Sequence, residues 1–371
     1  MITGGEGAKD QSGLDPRERD YAIVIGVTKY PLLLRDGASV DLQGPIKDAE
    51  TVRAWLTSNT GGGVPPDHIE YVVRVAETAT ATPDPTRDTV VQAFARMYAR
   101  CWESNGAPKI PTGRRLYVYV SGHGLANDLD HGALLCSNSS QSLFATVAPY
   151  ASLSAFRQAG FFEQFVVWFD GCMDWAGLDP EVINYNPRPG NALTPPGPVF
   201  TAYACRARLR AMECPDAAGI VHGVFTQTLL AGLEGGADLD PTTGLVESLS
   251  LRNYLINAMP KFLPASAKDN PLVDKQPLVR SDAGIFFGLP KPTAVSPVVL
   301  RFGDSQEGAT ARVWGRKPNE PALSVLANRT VSNGLVQLEL PNGIYAVDVP
   351  AHGLRTGFEV TGGIVTKLDP G

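Results

Sequence analysis

Three uninterrupted apolar runs constrain this chain more than anything else in it: Tyr21-Ala-Ile-Val-Ile-Gly-Val-Thr28, Leu116-Tyr-Val-Tyr-Val120 and Phe165-Val-Val-Trp-Phe169. They lack the polar alternation of a strand with one wet face. They read as strands buried on both faces. Between them the period changes. Ile46, Ala49, Val52, Ala54, Trp55 and Leu56 recur at helical spacing over 45–58, with Pro45 near the start, where its missing N–H does no harm. Val90, Val91, Phe94, Met97 and Tyr98 mark one side of a helix over 84–102. Strands over 69–75, 199–204 and 277–280, a hairpin near 132–137, and helices near 149–159, 222–232 and 249–259 complete the pattern. Buried strands alternating with amphipathic helices predict an α/β fold, with a mostly parallel sheet covered on both faces.

The character changes near residue 290. Val298-Val-Leu-Arg-Phe302, Leu335-Val-Gln-Leu-Glu-Leu340 and Ile344-Tyr-Ala-Val-Asp-Val349 are short runs separated by turns such as Pro341-Asn-Gly343. This predicts a small all-β sandwich. Leu289-Pro-Lys-Pro-Thr293 reads as a linker. The resulting division is a flexible leader over 1–19, an α/β domain over 20–289 and a β domain over 290–371. The Pro-rich stretch Asn186–Pro198 reads as a loop.

Composition excludes several classes. Of 371 residues 43% are hydrophobic and 19% charged, enough apolar material for a real core. The net charge of −6, with no dense Lys/Arg cluster, argues against a nucleic-acid partner. No apolar run reaches the ~18 residues of a membrane span, and Met1–Asp20 has no signal-peptide core. The five cysteines are odd in number and none is spaced CxxC, so neither a disulfide framework nor a zinc site is expected. A reduced, cytoplasmic protein fits these features. Asn127-Asp-Leu-Asp-His131 lacks the spacing of a calcium loop and reads as a solvated loop. Arg206, Arg208 and Arg210 read as a solvated or salt-bridged edge.

Two short motifs stand where open α/β sheets build their sites, outside the carboxyl ends of strands. Ser121-Gly-His-Gly124 follows the second apolar run, and Asp170-Gly-Cys172 follows the third. A thiol becomes a nucleophile when a neighbouring base removes its proton. His123 precedes Cys172 by 49 residues, close to the spacing of about 50 in caspases. The expected roles are nucleophile for Cys172 and acid–base partner for His123, with the backbone N–H groups of Cys172 and Gly124 as oxyanion donors. Read alone, Cys172 fits equally a buried apolar cysteine, Asp170 a turn cap, and Asp48 a helix-dipole partner.

Tyr119-Val-Ser-Gly-His-Gly124 and Asp170-Gly-Cys172 resemble the two catalytic motifs of the caspase, metacaspase and orthocaspase superfamily. Tyr21-Ala-Ile-Val-Ile-Gly26, Leu42-Gln-Gly-Pro-Ile-Lys-Asp-Ala49, Thr201-Ala-Tyr-Ala-Cys-Arg206 and Gly223-Val-Phe-Thr-Gln-Thr-Leu-Leu-Ala-Gly232 fit the family's remaining segments in order. The resemblance covers roughly residues 20–285 and implies a caspase-like sandwich around a six-stranded sheet. Asp170-Gly-Cys172 in place of Gln-Ala-Cys makes the bacterial, metacaspase-like branch the closer match. Pro45 and Lys47 stand where the family's Cys and Asn usually do.

Carried over by motif, the resemblance puts Asp48, Ser121 and Asp170 in an acidic S1 pocket, which implies cleavage after Arg or Lys rather than Asp. For Ser121 a purely structural hydrogen bond is the alternative. It further implies a monomeric zymogen without a cofactor, acting on proteins with basic cleavage sites. Loop processing, a regulatory protein or calcium are the candidate activators. An inactive caspase-like scaffold that only binds partners is the competing reading.

Overall fold

The computed structural model describes residues 15–73, 84–126, 131–175, 197–216, 218–240, 242–288, 295–316, 323–341, 343–360 and 367–368. The chain divides into two compact units, Met1–Asp238 with Val246–Leu289, and Leu239–Leu245 with Pro290–Gly371.

The first unit is built on a six-stranded sheet. Its strands are β1 (Asp20–Gly26), β2 (Ile69–Val73), β3 (Gly113–Ser121), β4 (Phe162–Asp170), β5 (Val199–Tyr203) and β6 (Leu278–Ser281). Their spatial order is β6-β5-β4-β3-β1-β2. All neighbours pair in parallel except β5 and β6. The three apolar runs became β1, β3 and β4, and β3 and β4 lie side by side in the middle. That is why their residues are apolar on both faces.

One face carries Ile23, Ile25, Val118, Val120, Val167 and Phe169, packed with Val90, Phe94 and Met97 of α2 (Arg87–Ala99). The other face receives Trp55 of α1 (Pro45–Thr57), whose ring lies 5.8 Å from Trp168 and 6.5 Å from Tyr117. α3 (Val224–Ala231) shares that face through Thr226, whose Oγ1 is 2.7 Å from the Tyr119 hydroxyl. Each fully buried aromatic is worth about 1.5–3 kcal/mol. The central strands therefore hold the site's supports rigidly.

The helix expected over 222–232 starts at Val224, because Val221–Gly223 is instead a strand paired with Glu213–Pro215. The helix expected over 149–159 is two short ones, Pro149–Ser152 and Ser154–Ala159. The segment expected to be a loose leader differs where it is described. Pro16–Arg19 forms one 3-10 turn, and Arg17 ties it down through Asp15 and the carbonyl of Asn59 at 2.8 Å. The 289–293 linker, the loop up to residue 196 and Asn127–Asp130 lie outside the described residues. His131 stacks on Tyr150 at 4.5 Å.

The second unit is all β. One sheet has Val295–Arg301 between Leu335–Pro341 and Lys367–Leu368; the other orders Leu323–Thr330, Thr310–Arg316, Gly343–Val349 and Leu354–Val360. Val298, Leu300, Val336 and Leu340 of the first sheet share one core with Ala311, Val313, Val347 and Phe358 of the second. Among the described residues, no helix is long and apolar enough to cross a membrane.

Candidate active site

Strand register brings the two motifs together. Ser121 at the end of β3 is paired with Asp170 at the end of β4. Two residues onward, the chains deliver His123 and Cys172 from neighbouring strand ends. The turns are pressed tightly: the Gly122 N–H donates to the Asp170 carbonyl at 3.0 Å. A Cβ on Gly171 would stand 2.5 Å from the Gly122 carbonyl oxygen, and one on Gly124 would stand 2.4 Å from that of Cys172. Only glycine allows these approaches.

A cavity opens here. His123 and Cys172 both line it, as do Asp48, Ser121 and Asp170. Gly124 lies against the Cys172 main chain behind this lining. Of the five cysteines, all free, only Cys172 is not fully buried.

The imidazole is held by main chain and a phenol. His123 Nε2 lies 2.7 Å from the Val40 carbonyl, and its backbone N–H donates to the Tyr30 hydroxyl at 2.8 Å. A carbonyl can only accept, so Nε2 carries a proton and the neutral ring keeps Nδ1 as its acceptor. Burial lowers the imidazole's pKa from its ordinary value, and the Val40 hydrogen bond opposes this. Burial pushes the Cys172 thiol up to about 11, and Sγ donates to the Ala211 carbonyl at 3.9 Å, a contact that only the protonated thiol can make. The resting pair is therefore a neutral thiol beside a neutral imidazole, with Nδ1 as the available base.

The opposite wall is charged. Asp48 reaches it because α1 begins directly over the end of β1, where a Cβ on Gly26 would be 2.5 Å from the Pro45 carbonyl oxygen. Asp48 Oδ2 accepts from Ser121 Oγ at 3.3 Å and from the Gly223 N–H at 3.0 Å, and Oδ1 accepts from His222 Nδ1 at 2.9 Å. Asp170 Oδ2 accepts from the Thr226 hydroxyl at 2.6 Å and from its N–H at 3.0 Å. Glu213 joins them, holding the Gly44 N–H at the start of α1 at 2.8 Å. Burial raises Asp48, with His222 acting against it. Burial, and then the nearby Asp48 charge, raise Asp170 to about 8, so it keeps a proton at neutral pH.

Several supports were not legible in the sequence. The Val40 carbonyl leaves no trace in residue type. Tyr30 lies beyond the first apolar run and no motif singles it out. Glu213 and His222 were hidden by the hairpin that brings them in. Among the described residues, no group of three or more His, Cys, Asp or Glu is arranged to hold a metal ion. Arg206 forms a two-pronged pair with Asp274, at 2.8 and 2.9 Å.

Residues 19–258, well over half of the chain, match the family model described as "Caspase domain". A probable protease of a Desulfuromonadales bacterium is 30% identical over 229 residues, which take in 58% of this chain and 26% of that protein. The chain thus spans only about a quarter of that relative's length. Among solved structures, caspase-1 of Spodoptera frugiperda aligns with a TM-score of 0.43 and 13% identity, covering 72% of this chain and 88% of that one. A structural-genomics protein of Geobacter sulfurreducens aligns with a TM-score of 0.39 and 13% identity, covering 74% and 95%. With its six-stranded sheet and a Cys and a His at adjacent strand ends, the chain belongs to the caspase peptidase family.

Proposed function

We propose that the protein is a cysteine endopeptidase of the metacaspase-like kind that cleaves after Arg or Lys. The observation that carries this reading is one cavity lined by Cys172 and His123 together with Asp48, Asp170 and Glu213. In the proposed reaction His123 Nδ1 takes the Cys172 proton as Sγ bonds to the scissile carbonyl carbon, and the carbonyl π electrons move onto oxygen. The backbone N–H of Cys172, which lines the cavity, is the donor for that oxygen, whereas Gly124, the second donor expected from the motif, lies outside the lining. As the intermediate collapses the C–N bond breaks, and His123 gives its proton to the leaving amine. Water, deprotonated by the same imidazole, then hydrolyses the thioester. Because thiol and base both rest neutral, the proton moves as Sγ attacks rather than before.

The carboxylates select the residue before the cut. Partly desolvated, they attract a guanidinium or ammonium and repel an acidic side chain. Latency relieved by loop cleavage, calcium or a partner belongs to the same reading. The test is a panel of fluorogenic peptides with Arg, Lys or Asp at P1, with and without calcium or prior proteolysis, beside Cys172→Ala. Turnover after Arg or Lys that vanishes in the variant is expected. Turnover that survives Cys172→Ala would remove the thiol from its role, and cleavage only after Asp would overturn the pocket. Inactivity under every activating condition would favour a binding scaffold.

A further inference from the structure

Asp48 faces the cavity on one side and His222 on the other. The far nitrogen of that imidazole, Nε2, lies 3.8 Å from Asp216 Oδ2. The ring is thus threaded between a buried pocket carboxylate and a surface one, with its own side chain 14% exposed. α1 brings Asp48 and, farther off, Lys47, which is drawn away to Glu50 at 2.7 Å. The hairpin brings Asp216, with Cys214 paired across from His222 and Glu213 across from Gly223. Acidic groups dominate these surroundings and favour the imidazolium. The Asp48 hydrogen bond is the largest effect, and burial opposes it.

Building on the reading of this cavity as a P1 pocket, we propose that His222 is a positioning residue for substrate selection. It holds from behind the same carboxylate that a P1 Arg or Lys engages from the front. Two cations on one buried carboxylate repel each other strongly where water is scarce. When the substrate cation enters, His222 therefore releases its Nε2 proton on the Asp216 side, to solvent. Asp48 thereby exchanges an internal counter-ion for one carried by the substrate. Preference for a cationic over a neutral P1 then grows as the imidazole discharges.

The probes are two reversible peptide aldehydes of one sequence, ending in arginine or in its neutral isostere citrulline. The ratio of their inhibition constants cancels the titration of Cys172 and His123. In the wild type, preference for arginine should climb about tenfold between pH 5.5 and 8.5; Asp170, which ionises near pH 8, adds to this slope in every variant, so the part due to His222 is read from the variants. His222→Arg, a cation that cannot discharge, should prefer arginine about tenfold less at pH 8.5 and lose much of that slope. Asp216→Asn keeps an oxygen for the Ala218 and Ile220 N–H groups that Asp216 now caps, each at 2.9 Å. It should raise the preference about two- to threefold at pH 6.5 and leave pH 8.5 unchanged, because His222 then discharges at lower pH.

Wild-type ratios in both variants at every pH would overturn the role of His222 and leave the acidic pocket standing. Equal binding of the two aldehydes by the wild type at all pH values would overturn the pocket itself, and this proposal with it. If His222→Arg does not fold, the Asp216→Asn curve alone decides.

Discussion

The two walls of the cavity are built on opposite plans. The wall of Cys172 and His123 is held by main chain: the Val40 and Ala211 carbonyls, the glycine turns, and one buried phenol. It carries no formal charge at rest. The wall of Asp48, Asp170 and Glu213 is held by titratable groups, hydroxyls and N–H donors of the α3 region. There the Asp48 charge acts on both His222 and Asp170. The lesson is a division of labour. On the function proposed above, the first wall governs the chemical step for any substrate, and the second governs which substrate is bound.

Substitutions can break this contrast. The largest effect is expected from Cys172→Ala or His123→Ala, each lowering kcat by about 10⁴-fold or more whatever the P1 residue. Steady-state kinetics on cationic and neutral P1 peptides check it, and a loss confined to cationic substrates would erase the distinction. Next, Asp170→Asn, which cannot ionise when a substrate cation enters as the carboxyl can, should cost about 10²-fold in kcat/KM for Arg at P1 and little for a neutral P1. An equal loss for both would mean that Asp170 serves the chemical wall.

The same residue makes a stability prediction. The folded pKa of Asp170, about 8, exceeds the ordinary carboxyl value of 3.8. Between those values the unfolded chain binds fewer protons, so stability falls as pH rises from about 4 to about 8. Asp170→Asn should abolish that loss and be the more stable protein near pH 8, by a few kcal/mol at most. Thermal melts across pH 5–8 measure it, and parallel curves for the two proteins would refute it. The smallest effect is expected from Tyr30→Phe, which removes the acceptor of the His123 N–H. We expect a fall in kcat of about tenfold, equal for all P1 residues, with KM unchanged.

The sheet was readable because burial on both faces forces near-continuous apolar runs, and β1, β3 and β4 carry little else. His123, Cys172, Ser121 and Asp170 were readable through short motifs at strand ends, which register makes adjacent, and Asp48 through the segment that opens the first helix. The hairpin of Glu213 and His222 was not. His222 sits two residues before the start of α3, where an apolar helical pattern begins. Periodicity alone extends the helix backward over it. What stops the helix is tertiary: Asp48 takes the Gly223 N–H, and a Cβ on Gly223 would lie 2.0 Å from Asp170 Oδ2. Neither partner is local in sequence.

The group that orients the His123 imidazole is a carbonyl, and every amino acid at position 40 brings one. No side-chain replacement there can delete it. The bond can be lost only by moving the loop that carries it, and that loop is clasped by Asp41, which accepts the Tyr30 N–H at 2.8 Å and pairs with Lys29 at 3.0 Å. Tyr30 in turn holds His123, so one short segment grips the base by both its ring and its main chain. The vulnerability of the proposed proton transfer therefore lies in the posture of residues 29–41, at positions that a search for reactive side chains passes over.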